Sequence, residues 1–124
     1  EERVVEGAGR DRVAIIEIAG AIGAGADPFS LSLSQEDLIS QIRQAREDDL
    51  VRAVVLRVDS PGGGVVASNE IHAELVRLRE AGKTLVVSMG TTAASGGYYV
   101  SAPAERTYAT PVSYTGSRGV ELTL

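Results

Sequence analysis

The chain has 124 residues, 12 of them basic and 17 acidic, for a formal net charge of −5, and 44% of it is hydrophobic. That length supports one hydrophobic core rather than two, the aliphatic content excludes wholesale disorder, and the acidic balance excludes the basic stripe that binds nucleic acid. The absence of cysteine removes disulfides, thiolate metal sites and cysteine nucleophiles, and one histidine among scattered carboxylates gives no metal-ligand spacing. No metal and no cofactor are expected. No apolar run approaches the roughly 20 residues that cross a bilayer, so the chain itself is expected to be soluble.

A polar leader runs to Arg10. The β-branched run over 13–18 (VAIIEI), closed by Gly20, predicts a first strand. The Gly/Ala/Ser-rich stretch over 21–32 reads as loop, and Ser34 followed by Asp37 forms a capping box for a helix over 35–47. Leu38, Ile39, Ile42 and Ala45 share one face of that helix, and Glu36, Arg43, Arg46 and Glu47 lie around the other. Residues 51–58 (VRAVVLRV) predict a second strand that stops at Asp59, where Pro61-Gly62-Gly63-Gly64 breaks any strand. A helix over 65–81 follows, with Ile71, Leu75 and Leu78 on its apolar stripe, Glu70, Glu74 and Arg77 off it, and Gly82 behind it. Residues 84–89 predict a third strand, Gly90-Thr91-Thr92 a turn, 93–102 a helix blocked by Pro103, and 106–109 a fourth strand. Strands alternating with helices predict an α/β fold, a mostly parallel sheet covered by helices.

In a parallel sheet the strands end at one edge, so the loops around Gly62-Gly63-Gly64 and Gly90 to Gly97 face each other there. Glycines let backbone approach a ligand closely, and free amides at such a loop suit an oxyanion or a phosphate; tight turns alone explain three glycines equally well. Ala93-Ala94-Ser95-Gly96-Gly97 places a hydroxyl at a strand-to-helix turn among small residues, where a nucleophilic serine has room to meet a carbonyl. A serine needs a base. His72, seven residues into the second helix and about 10 Å along its axis, reads as a half-exposed helix residue. Lys83, the only lysine, precedes the third strand, about six residues or roughly 20 Å from the active edge. Arg118 stays protonated and cannot act as base, and Asp59 reads as the cap of the strand-end turn. The residues thus supply a nucleophile and an oxyanion hole without a base.

Taken together, Val54-Val55-Leu56-Arg57-Val58-Asp59-Ser60-Pro61-Gly62-Gly63-Gly64, Val87-Ser88-Met89-Gly90, Ala93-Ala94-Ser95-Gly96-Gly97-Tyr98-Tyr99 and Thr115-Gly116-Ser117 resemble the S49 family of serine proteases, the signal peptide peptidase A type. The resemblance runs from about Val13 to Val120, with the motifs in the family's order and spacing. It implies a ClpP/crotonase-like fold of repeated ββα/βαβ units, incomplete in this chain, a Ser-Lys dyad, and degradation of residual signal peptides at the cell membrane by an extracytoplasmic catalytic domain. By the same resemblance Ser95 matches the nucleophile, the amides of Gly63 and Gly96 the oxyanion hole, and Ser117 a serine that orients the catalytic lysine. Gly62, Gly64 and Val65 match the stretch that holds an extended substrate strand, a form of β-augmentation.

The sequence departs from the family pattern at Arg118, where an apolar residue is usual, and it contains no lysine at the dyad position. The membrane anchor common in the family is likewise missing from it. Residues 1–124 are therefore expected to be one peptidase core and a fragment or trimmed ectodomain. The base is expected from another region or subunit, since members of the family self-associate into rings. Two alternatives remain open at this point: a truncated or inactive module that binds peptides or assembles with partners, and a crotonase-like enzyme acting on acyl-CoA, against which the Ser95 motif argues.

Overall fold

The computed structural model describes residues 7, 9–23 and 35–119. Most of the polar leader, the loop from residue 24 and the Ser34 end of the capping box lie outside the described residues. The elements are β1 (Arg12–Ala19), α1 (Gln35–Glu47), β2 (Val51–Ser60), α2 (Val65–Glu80), β3 (Thr84–Ala94), α3 (Gly96–Ser101), β4 (Arg106–Tyr108) and β5 (Tyr114–Gly116). All strand pairings are parallel, in the order β1-β2-β3-β4, and β5 also pairs with β3. Parallel pairing needs a crossover between neighbours, and α1 and α2 are those crossovers.

The period-2 pattern of β2 sends Val54, Leu56 and Val58 to one face, where they are fully buried beside Leu85 and Val87 of β3 and Ile16 and Ile18 of β1. Leu38, Ile42 and Ala45 of α1 and Ile71, Leu75 and Leu78 of α2 close over that face. Each such aliphatic side chain removed from water stabilises the fold by about 1.5–3 kcal/mol. The helical cover applies to this face. On the other, Val13 and Ile15 of β1 remain 62% and 60% exposed.

Glu74, placed off the apolar stripe by its spacing, is in fact buried. It accepts hydrogen bonds from Arg77 at 2.7 Å, Arg43 at 3.0 Å and Arg46 at 3.3 Å, so the guanidinium groups of α1 and α2 neutralise it between the helices. Acidic residues in the first turn of α1 and Arg46 in its last complement the helix dipole. Lys83 turns back from the start of β3 and donates to the Asp48 and Val51 carbonyls, both at 2.7 Å, which ties the strand-start end of the sheet together.

Three further expectations change. β3 does not stop at Met89 but runs through Gly90-Thr91-Thr92 to Ala94, because the Asp59 carboxylate accepts the Thr92 amide at 3.1 Å and Gly90 leaves room for the Asp59 side chain. The next helix accordingly begins at Gly96 rather than at 93. β5 is an additional three-residue strand, lying beside Thr92, Ala93 and Ala94 on the edge of β3 opposite Ser60.

Candidate active site

Because β2 and β3 are parallel, Ser60 and Ala94 end at the same edge, and the two glycine turns that follow them meet. Ser60 is fully buried at this junction, and its Oγ accepts the Gly62 amide at 3.1 Å. A Cβ at Gly97 would stand 2.6 Å from the Ser60 carbonyl oxygen, so the α3 turn closes on β2 only without a side chain there. Gly62, at φ +102°, makes the tightest approach between the turns. A Cβ on it would lie 2.6 Å from the Gly96 nitrogen and 2.8 Å from Ser95 Cβ.

Ser95 sits at the crest of this contact with φ 52° and ψ −118°, a combination that L-residues seldom adopt. Such a backbone costs about 1–3 kcal/mol and persists only when its surroundings over-determine it. Here they do. The Ser95 amide donates to the Gly116 carbonyl at 2.6 Å, and the Ser95 carbonyl accepts the Tyr99 amide at 2.9 Å. The peptide groups on both sides of the residue are fixed, and its half-buried Oγ has no hydrogen bond to a described residue.

The Gly62–Gly64 segment alternates like a strand. The Gly62 carbonyl accepts from Ile22 at 2.9 Å and the Gly64 amide donates to Ile22 at 3.0 Å, so these groups are spent on one side. The Gly63 amide takes no part in that pairing, and among the described residues neither it nor the Gly96 amide donates to a turn or loop carbonyl. Two amides without an acceptor among the described residues, beside a serine hydroxyl, have the chemistry that an oxyanion hole requires.

The fold therefore gathers Gly62, Gly63, Ser95 and Gly96, and β5 brings Ser117, at φ 56°, next to the Gly116 carbonyl bonded to Ser95. Gly64 precedes α2 as its N-cap and Val65 opens it, 59% exposed. Neither His72 nor Lys83, which the sequence argued against as bases, hydrogen-bonds Ser95. Lys83 is engaged at the opposite end of an 11-residue strand, roughly 35 Å away. His72 stacks on Tyr99 with ring centroids 4.3 Å apart, burial lowers its pKa, and the Tyr99 hydroxyl donates to Asn69 at 2.9 Å. This clasp between α2 and α3, and the buried Ser68 beside Gly96, carry no sequence signal beyond their residue types.

Solved structures with the same chain path include a membrane-bound stomatin-specific protease, 17% identical with a TM-score of 0.65, covering 90% of this chain and 49% of that one. ClpP1 from Listeria monocytogenes is 22% identical with a TM-score of 0.57, covering 73% of this chain and 46% of that one. The chain has a ClpP-like α/β fold. Its residues 77–124 match the model of Peptidase family S49. Protease 4 of Salmonella typhi is 50% identical over 108 residues, which are 87% of this chain and 17% of that protein. The chain is thus related to peptidase family S49, and it spans about a sixth of the length of that relative. Among the described residues no helix is long and apolar enough to cross a membrane.

Proposed function

We propose that the chain is the nucleophile-bearing core of an S49-type serine peptidase. Ser95 Oγ attacks the scissile carbonyl carbon, its proton passes to a lysine amine supplied from outside these 124 residues, and the Gly63 and Gly96 amides hold the resulting oxyanion. Collapse breaks the C–N bond, the leaving amine takes the proton, and water hydrolyses the Ser95 ester. Ser117, set beside the turn by β5, orients the lysine. The observation that carries this reading is the strained Ser95 backbone, tied at both peptide groups and flanked by amides without acceptors.

The substrates proposed are signal peptides or other apolar peptides, which pair with the outward groups of Gly63 while their side chains run past Gly62, Gly64 and Val65. Self-association into a ring would bring a lysine to each Ser95, and attachment to the membrane would come through another segment, with the catalytic core on the extracytoplasmic side. The full-length natural polypeptide carrying this sequence is expected to cleave a leucine-rich signal peptide, followed by mass spectrometry of the products, and the Ser95→Ala variant is expected to leave it intact. Cleavage that survives in Ser95→Ala, or turnover of acyl-CoA in place of peptide, contradicts the proposal.

A further inference from the structure

Ser68 lies in the first turns of α2 and is 3% exposed. Its amide already donates to the Gly64 carbonyl at 3.0 Å. A serine in that position ordinarily turns its hydroxyl to the carbonyl four residues back. Ser68 does not: its Oγ is buried and has no hydrogen-bond partner among the described residues. The oxygen is instead aimed out of α2 at the Ser95–Gly96 turn, where a Cβ on Gly96 would stand 2.4 Å from it. The remaining space around that Cβ position is bounded by Gly62 Cα at 3.3 Å and Ile22 Cδ1 at 3.4 Å. No side chain fits on that side of Gly96, and of the three groups that fill the space Ser68 Oγ is the nearest.

A buried hydroxyl without a partner lowers stability, because it has given up its water and gained nothing in exchange. An alanine at 68 would avoid that cost, so stability supplies no reason for the hydroxyl to be there. Position does. We propose that Ser68 is a positioning residue of the acyl-transfer site: its hydroxyl oxygen, packed against the side of Gly96 where a Cβ would lie, fixes the height at which the Gly96 amide enters the oxyanion hole. Ser68 Oγ fills the side of Gly96 on which a Cβ would lie, a Cα–H···O approach that is weak in itself and acts by limiting how far the turn settles toward α2. Ser68 Oγ makes no hydrogen bond to Ser95. It acts through Gly96, and because an oxyanion donor works only over a narrow distance, its loss is felt in the transition state and not in ground-state binding.

This inference rests on the peptidase reading, and the test separates the two. In the full-length natural polypeptide, the rate of Ser95 phosphonylation by a fluorophosphonate, kcat and KM on an apolar peptide, and Tm are compared for wild type and Ser68→Ala. The expected result is that labelling and kcat fall together by roughly tenfold, as for a donor displaced by a fraction of an ångström, while KM stays within about twofold. Tm stays equal or rises. Rate thus falls with no loss of stability, which a merely structural serine would not produce. If wild type labels at Ser95 and Ser68→Ala labels as fast, or if the variant unfolds or loses rate only in step with a lower Tm, the inference falls alone. If wild type does not label at Ser95, the peptidase reading falls and takes the inference with it.

Discussion

The two ends of the sheet are built on opposite principles. Where the strands begin, polar groups are spent: Lys83 serves two carbonyls at once, Asp48 accepts from the Leu50 amide, and the Arg12 amide donates to the Leu50 carbonyl. Where the strands end, they are held in reserve. Ser95 is strained, and among the described residues its hydroxyl and the Gly63 and Gly96 amides have no acceptor and the buried Ser68 hydroxyl has no partner. A fold that satisfies its backbone at one end could do so at the other, so the concentration of unmet groups at one edge marks where a ligand completes the structure.

Substitutions at the two ends sharpen that contrast. Gly62→Ala has the largest expected effect: the added Cβ meets the Gly96 nitrogen at 2.6 Å at a positive φ, and moving that amide is expected to lower the Ser95 labelling rate by about a hundredfold or more. Leu78→Ala, in the fully buried core toward the strand-start end, is expected to cost about 2–5 kcal/mol in denaturant titrations, with the labelling rate of the folded fraction unchanged. Lys83→Met removes both carbonyl bonds, and a loss of about 1–2 kcal/mol is expected, again without change in labelling. An equal loss of labelling in Lys83→Met would break the distinction between the ends.

The smallest effect concerns pH. Burial lowers the His72 pKa below 6.5, so the unfolded chain takes up this proton at a higher pH than the folded chain. The stability His72 contributes is therefore full above pH 6.5 and is lost as pH falls through 6.5 and then through the lowered folded value. Tm measured between neutral and mildly acidic pH is expected to fall more steeply in wild type than in His72→Asn. Parallel curves would contradict this.

The meeting of the two turns at the candidate site was legible because it is written in residue types that permit few alternatives. Three glycines after a β-branched run must turn, and Ala-Ser-Gly-Gly after the next strand must turn at the same edge. The readings that failed depend on contacts between distant positions. Gly90 and two threonines look like a turn until the Asp59 carboxylate takes the Thr92 amide and draws them into β3. β5 is three residues long, too short for any periodicity, and is defined by its partner Ala94. Glu74 reads as solvent-facing until the arginines of α1 arrive beside it, and Ser68 is an unremarkable helical serine until Gly96 is placed against it.

The central claim is that the strained serine at the strand-end edge is a nucleophile, and it is tested most directly by intact-mass and peptide-mapping analysis after exposure to a fluorophosphonate. The account predicts a single adduct on Ser95 of the full-length natural polypeptide, absent in Ser95→Ala. No adduct, or one on another residue that persists in Ser95→Ala, would contradict it.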